Sequence, residues 1–552
     1  MNPLRLLALG LCLGGLLDAA VAVARDSEAV KRGRSLYVAH CAVCHQATGR
    51  GTPGVYPPLV GSDFLARPDG RTNAILAVVQ GLSGKLVVNG STYDNQMPAV
   101  VLDDAQVADV LSYVFDAWNN PGGEFKAEDV AQVRASSRFP TYKELAEASA
   151  YPPVPPAPEG WSLREHVRLN DFAVRMAPTP DLKGYYLLGQ AGAVWRVDAS
   201  TRKVQPVFVA ADYVDSSLGS PGTLGIHCDA SGRIWITCNQ RQDSSPVVTN
   251  HVSIFRTPLP ANKRATPGKP ILWFRTAYPY GIGPYNHGVS HLAIGPDRKL
   301  YVSSGSRTDG GEPGNEQNLG RMGETDITAC LWRMDPESET PSIDVVANGI
   351  RNAWSFAWDD SGQMFSVSNG PDAHSGEEMD VIDVGGRRHH GFPYQFADWP
   401  VERKAYPHTP PAPSGLSFVL PVMNDGPDGW SAGLPGATFD PHSSPAGMIW
   451  LGERAPQPWR RSFLVGRFGN LLKMEGDRDV GFDVLAVEPT QVGTSWRAKV
   501  RTFVRGLGRP IDLMQLGDRV YILEYTRPTD FRSGRGWLPG RVLELIPKTS
   551  GR

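Results

Sequence analysis

The chain has 552 residues, too many for one ordinary core, so two or more domains are expected. Its apolar fraction is 41%, its charged fraction 20% and its net charge −2, which excludes a disordered chain and offers no basic excess for nucleic acid. The 59 Gly and 47 Pro suit a turn-rich, mostly β chain better than a helical one.

In chain order, the first segment is not fold. "MNPLR" is a short positive start, "LLALGLCLGGLL" is an apolar run, and Ala22-Val23-Ala24 offers a small-residue cleavage site. Residues 1–24 therefore read as a secretory signal peptide, too short to span a bilayer in the usual way. No later stretch reaches the length of a membrane span, so the mature protein is expected to be soluble and periplasmic. Of the cysteines left, Cys228, Cys238 and Cys330 cannot all pair with one another, and buried free thiols are expected.

The stretch "HCAVCHQATGRG" at 40–51 holds Cys41, Cys44 and His45. A redox dithiol would want a βαβ context, and none surrounds it. A c-type haem would take thioethers from both cysteines and His45 as an axial ligand, and an export signal favours it, because such haems are attached outside the cytoplasm. "YDNQMPAV" supplies Met97 before Pro98 in a polar, helix-free stretch, a suitable sixth ligand. A helix follows: Asp103 and Gln106 form a capping-box pattern, and Val107, Val110, Leu111, Val114, Phe115 and Trp118 make one apolar stripe. "EAVKRGRSLYVAH" reads as the opposing helix. With these motifs, residues 27–120 resemble class I cytochrome c domains, which are all-α.

Residues 121–160 read as a linker. "NNPGG" ends the first domain, and "YPPVPPAPEG" at 151–160 suggests a semi-rigid polyproline spacer. From Trp161 to residue 548 the texture is all-β. One unit recurs as strand, tight turn and aromatic-bearing strand: "LGIHCDASGRIWITC", "LAIGPDRKLYVSSG", "FAWDDSGQMFSVSNG" and "IDLMQLGDRVYILEY", with fainter copies in "VRMAPTPDLKGYYLLG" and "SPAGMIWLGE". Six copies fit a six-bladed β-propeller better than a sandwich.

The ordered set "NHGVSHLAIGPDRKLYVSSGS", "NGIRNAWSFAWDDSGQMFSVSNGPDAHSGEEMDVI" and "GRPIDLMQLGDRVYILEY" resembles the glucose/sorbosone dehydrogenase family, six-bladed propellers that carry pyrroloquinoline quinone and calcium. The resemblance implies that His287 is the general base taking the substrate's hydroxyl proton. It implies that Arg351 and Asn352 meet the quinone oxygens, with Arg351 stabilising developing negative charge. It further implies that the backbone carbonyls of Gly370 and Pro371 hold calcium, and that Arg509 grips the cofactor carboxylates. The match departs from the family at four places. Asn286 stands where an acidic residue normally precedes the base, and Ser220 stands near the place of a glutamine. Ile511 replaces a second arginine, and a cofactor lysine is absent, with Arg467 as its possible substitute.

Read on their own, several of these residues have plainer meanings. His287 could be a surface-loop histidine, and Arg351 could pair a structural carboxylate between blades. His291 is a rival base whose place before a strand favours packing. Glu377, Glu378 and Asp380 could bind calcium or belong to a solvated loop, and His389 and His390 suit loop packing. "SRTDGGEPG" is Gly-rich without the strand-to-helix context of a phosphate loop.

The expectation is a periplasmic quinohaemoprotein dehydrogenase. It would oxidise a sugar or related alcohol or aldehyde, with haem c, pyrroloquinoline quinone and Ca2+ as cofactors, and pass electrons to a downstream periplasmic acceptor. The alternative is a non-enzymatic electron-transfer or binding protein whose propeller has lost the quinone.

Overall fold

The structure is a computed structural model that describes residues 27–52, 55–82, 86–93, 97–118, 120–136, 151–243, 247–262, 267–281, 285–311, 323–407, 409–429, 437–470, 479–527 and 538–548. The expected export signal lies outside them. Among the described residues, those up to 136 form one compact unit and those from 151 onward a second.

The first unit holds α1 (Glu28–His40), α2 (Ala42–His45), α3 (Gly70–Gln80), the small hairpin β1 (Leu86–Val88) and β2 (Ser91–Tyr93), α4 (Asp104–Asp116) and α5 (Ala127–Ser136). Ser27 caps α1, and the capping box of α4 is complete: Gln106 N–H donates to Asp103 (2.8 Å) and Asp103 N–H to the Gln106 side chain (3.0 Å). The stripe on α4 is buried from Val107 to Phe115, while Trp118 lies past the helix end and packs edge-on against Tyr37. The crossing of α1 and α4 requires Gly33. A Cβ there would lie 1.9 Å from the Asp109 carbonyl oxygen, so any larger residue would force the helices apart. Helix α5 adds Phe125 and Val130 to this core.

The second unit opens with β3 (Trp161–Arg168), and six sheets follow. Blade one is β4 (Ala173–Pro178), β5 (Gly184–Gly189), β6 (Val194–Asp198) and β7 (Val204–Phe208). Blade two is β8 (Pro221–Cys228), β9 (Ile234–Gln242), β10 (Thr249–Arg256) and β11 (Ile271–Pro279). Blade three is β12 (Val289–Ile294), β13 (Leu300–Ser304), β14 (Cys330–Met334) and β15 (Asp344–Asn348). Blade four is β16 (Ala353–Trp358), β17 (Met364–Ser368) and β18 (Glu378–Ile382). Blade five is β19 (Met423–Pro427), β20 (Pro445–Leu451), β21 (Ser462–Arg467), β22 (Asp483–Val492) and β23 (Ser495–Arg505), with β19 parallel to β23. Blade six is β24 (Pro510–Leu516), β25 (Arg519–Glu524) and β26 (Arg541–Pro547), completed by β3. Each of the six recurring sequence units falls on the innermost strands of one blade.

The innermost strands β4, β8, β12, β16, β20 and β24 neighbour one another around the ring, β24 meeting β4. Buried Arg175 on β4 ties four of them across the axis, donating to the carbonyls of Leu224 (2.8 Å) and Trp354 and to Asp512 (3.2 Å). At the closing blade, buried Glu544 on β26 accepts from Arg164 (2.7 Å) on β3, from Arg519 and from Tyr521 (3.2 Å), and faces His166 at 3.3 Å.

The Pro-rich stretch differs from its reading as a spacer. Residues 151–160 lie along blade six. Arg541 donates to the Pro152 carbonyl (2.7 Å), Trp459 to Glu159 O (2.9 Å) and Lys548 N–H to Gly160 O (2.8 Å). The Arg527 guanidinium stacks 3.6 Å over Tyr151. Proline carbonyls have no matching N–H, so an extended proline run is a ready acceptor for arginines on a neighbouring surface. Cys228, Cys238 and Cys330 are buried free thiols, as expected. Glu377, Glu378 and Asp380 are not a solvated loop: β18 carries Glu378 and Asp380, and Glu377 and Asp380 are buried. His390 packs against Asp380 at 3.3 Å.

Candidate functional site

In the first unit, Cys41 ends α1 and the single turn of α2 carries Cys44 and His45, which brings Cys41 and His45 to one wall of a cavity. The cavity is lined by Cys41 and His45, by Pro57 and Leu59, by Val78 and Val110 from α3 and α4, and by Met97. Met97 is fixed by a two-bond bridge with Leu82 (2.8 and 2.9 Å) and packs against the unit's core. Gly81 permits this bridge, because a Cβ there would meet the Met97 carbonyl at 2.5 Å and its φ is +77°. His45 is buried, and its Nδ1 lies 2.9 Å from the Pro57 carbonyl, so Nδ1–H donates there and Nε2 is left with its lone pair. Burial lowers the His45 pKa and keeps the ring neutral, the form that ligates iron. Burial also pushes the Cys41 thiol up to about 12, opposite to the stabilised thiolate of a redox dithiol. An apolar cavity, a neutral oriented imidazole, the two cysteines of the motif and a thioether fit a covalent haem.

In the propeller, the residues just before each innermost strand gather at one mouth of the ring, because those strands all run the same way along the axis. His287 precedes β12, Arg351 and Asn352 precede β16, and Arg509 precedes β24. The end of β17 returns to the same mouth and delivers Asn369, Gly370 and Pro371. His287 is half-buried, but its Nε2 is fully enclosed and has no hydrogen-bond partner. Burial, reinforced by the nearby Arg351 charge, holds its pKa well below the ordinary value, so the imidazole is neutral. Gly305 lies between His287 and Asn352; a Cβ there would meet His287 Cβ at 2.6 Å and Asn352 Oδ1 at 3.0 Å.

Arg351 is buried and ion-paired. Its Nη2 donates to Asp309 Oδ1 (2.6 Å), Nε to the Asp309 carbonyl (3.0 Å) and Nη1 to the Asn369 carbonyl (3.2 Å). Among the described residues, three of its five N–H groups are used. Asn352 Nδ2 donates to Asn369 Oδ1 (2.9 Å). Asp309 also accepts from the Tyr406 hydroxyl, and Tyr285 donates to Asp372 (2.8 Å). Among the described residues the carbonyls of Gly370 and Pro371 accept no hydrogen bond. Two adjacent bare carbonyls are hard donors of the type calcium takes.

The other two arginines are engaged within the protein. Arg467 is gripped by Asp483 (2.8 and 2.7 Å) and Asp440 (3.0 Å). Arg509, at φ +49°, donates to the carbonyls of Gly469 (3.0 Å) and Asn470 (3.1 Å) and stacks between Phe468 and Phe482. The mouth therefore fits a quinone at its oxygen end, through His287, Arg351 and Asn352. The carboxylate grip expected of Arg509 and the cofactor-lysine place expected of Arg467 are both occupied by protein partners. His291 packs edge-on against Phe356. Asp309, Tyr285, Asp372 and Tyr406 are additions that the sequence did not single out.

Fold and sites together define an electron-transfer oxidoreductase with a haem unit ahead of a propeller. The chain belongs to the glucose/sorbosone dehydrogenase family, which matches residues 171–480, and carries a cytochrome c domain matching residues 30–118. The first unit is similar to cytochrome c-552 of Thermus thermophilus, 37% identical over 116 residues, covering 20% of this chain and 88% of that protein. It is also similar to the fructose dehydrogenase cytochrome subunit of Gluconobacter japonicus, 31% identical over 117 residues, covering 21% of this chain and 24% of that protein. Among solved structures, the PQQ-bound aldose sugar dehydrogenase of Streptomyces coelicolor aligns with 71% of this chain and 99% of its own, at 20% identity and a TM-score of 0.46. No helix among the described residues is long and apolar enough to cross a membrane.

Proposed function

We propose that this chain is an exported quinohaemoprotein dehydrogenase. Its propeller oxidises a sugar or a related alcohol or aldehyde with pyrroloquinoline quinone and calcium, and the electrons leave through its own haem c to a periplasmic acceptor. One observation carries the reading: the enclosed, partnerless Nε2 of a neutral His287 beside the buried Arg351. A neutral imidazole whose Nε2 has no hydrogen-bond partner among the described residues is equipped to take a hydroxyl proton. Arg351 supplies a fixed positive field at the same mouth, and Asp309 holds it there. The carbonyls of Gly370 and Pro371 would hold calcium, and Asn352 would orient the ligand. When bound, the quinone supplies the two-electron acceptor that no side chain provides. Export rests on the pattern of residues 1–24 and on the haem motif.

The second reading, a propeller that has lost its quinone and serves binding or electron transfer, is favoured by the internal engagement of Arg467 and Arg509. Reconstituting the full chain with calcium and pyrroloquinoline quinone, then adding aldoses, aldehydes and polyols while following haem absorbance, separates the two. The dehydrogenase reading expects substrate-dependent haem reduction that requires the quinone. Absence of both quinone binding and haem reduction would establish the second reading.

A further inference from the structure

Oxidising an alcohol carbon to a carbonyl releases two electrons and two protons. A haem iron takes the electrons one at a time and takes no proton, so both protons must reach water from the mouth. Two histidines that the proposed chemistry does not use cross from the inside of that mouth to its outside. His442, just before β20, is buried, and His374, in the loop after β17, is exposed. His442 Nε2 lies 2.8 Å from His374 Nδ1, and the rings meet edge-on. Both residues sit in the left-handed region at φ +60°, a conformation costing about 1 kcal/mol or more for a non-glycine residue, held here twice in one contact.

On the dehydrogenase reading above, we propose that His442 and His374 form the proton exit of this mouth, carrying protons from the Arg351–Asp309 interior to water. His442 precedes β20 at the same mouth as Arg351 before β16, and the charges of Asp309 and Arg351 act on it. In one passage, His442 Nδ1 gains a proton as its Nε2–H bond breaks toward His374 Nδ1. His374 then gives its Nε2 proton to water, and neither ring ends charged. Both rings then carry their proton on Nδ1, so the pair resets when His374 exchanges tautomer through water and the His442 ring turns over to present an N–H to His374 again. The Tyr285 and Tyr406 hydroxyls already donate to Asp372 and Asp309. Burial and the neighbouring carboxylates raise the Tyr285 and Tyr406 phenols well above their ordinary value, so both keep their protons.

The test uses the full chain reconstituted with quinone and calcium, with His374→Gln and His442→Asn, Asn being tolerant of positive φ. Each variant should bind quinone as the wild type does and slow substrate-driven haem reduction by about ten- to a hundredfold. The solvent deuterium isotope effect should grow, and added imidazole should restore the rate of His374→Gln. Independently of activity, histidine-labelled nitrogen NMR of the reduced, quinone-free protein should show one imidazole proton shared between two rings, lost in both variants. Wild-type rates in both variants, a slowed rate that imidazole does not restore, or the lack of a shared proton would each overturn the exit while leaving the dehydrogenase reading intact. A wild type that no substrate reduces would overturn both.

Discussion

The two units hold their redox sites in opposite ways. The haem cavity is local and apolar: three of its four key residues lie within five positions of one another, and the fourth is fixed by a two-bond bridge. The propeller mouth is distributed and polar. His287, Asp309, Arg351, Asn369 and Tyr406 come from separate loops of blades three and four and the connection to blade five, and nearly every charge already has a partner in the protein. A covalent site needs only a shaped cavity, since the bonds supply retention. A non-covalent site must be prepared in advance, and its charges have to be stable before a ligand arrives.

The largest expected effect breaks the covalent side outright. Cys41→Ala with Cys44→Ala should remove all covalent haem, read as loss of haem stain from the denatured chain. Stain that persists would move the haem elsewhere. Next, His287→Ala should keep quinone and haem yet lower substrate-driven haem reduction by on the order of 10²-fold or more. Full-rate reduction in that variant would remove His287 from the chemistry.

A third change sharpens the idea of a mouth balanced by internal partners. Arg467→Ala leaves Asp440 and Asp483 buried without their cation and should cost about 3–5 kcal/mol in urea unfolding, with quinone affinity unchanged. Weakened quinone binding at unchanged stability would return Arg467 to the cofactor site. The smallest effect concerns blade closure and serves as a control away from both sites. Burial opposes the Glu544 charge, but hydrogen bonds from His166, Arg164 and Arg519 hold its carboxyl well below the usual carboxylate range. A depressed carboxylate stabilises the fold above its unfolded pKa, near 4.3, and loses that contribution as pH falls through its folded value. Glu544→Gln should therefore cost about 2 kcal/mol at pH 7 and progressively less toward acid pH, measured by urea unfolding at each pH. A cost that does not shrink with acid would mean that packing, not charge, is what the residue supplies.

The same contrast governs what could be read from the sequence. Cys41, Cys44, His45 and the α4 stripe are legible because their meaning lies in short spacings. The six blade hairpins are legible for the same reason. Asp309 was not, because its partners Arg351 and Tyr406 lie 42 and 97 residues away, and "SRTDGG" showed only glycine. An acidic residue just past the end of a blade's second strand, at the mouth shared with His287, was the available signal. Arg467 and Arg509 illustrate a different limit. Arg467 ends β21 and Arg509 precedes β24, but the aspartates and carbonyls that occupy them come from β22 and neighbouring loops. The proline run read as a spacer because its acceptors, the bare carbonyls, have no sequence signature for the arginines that bind them.

The closure of blade six also sets a timetable. Arg164 on β3 and Glu544 on β26 are 380 residues apart, so β3 leaves the ribosome on the order of tens of seconds before its partner exists. For that interval the strand is an open edge with nothing to pair with. Its outward positions carry Ser162, Arg164 and Arg168, and charge on a waiting edge discourages pairing with the wrong strand. The ring therefore cannot exist in any shortened nascent chain. Loss of β26 would leave β3 as a permanent unpaired edge instead of a slightly smaller propeller.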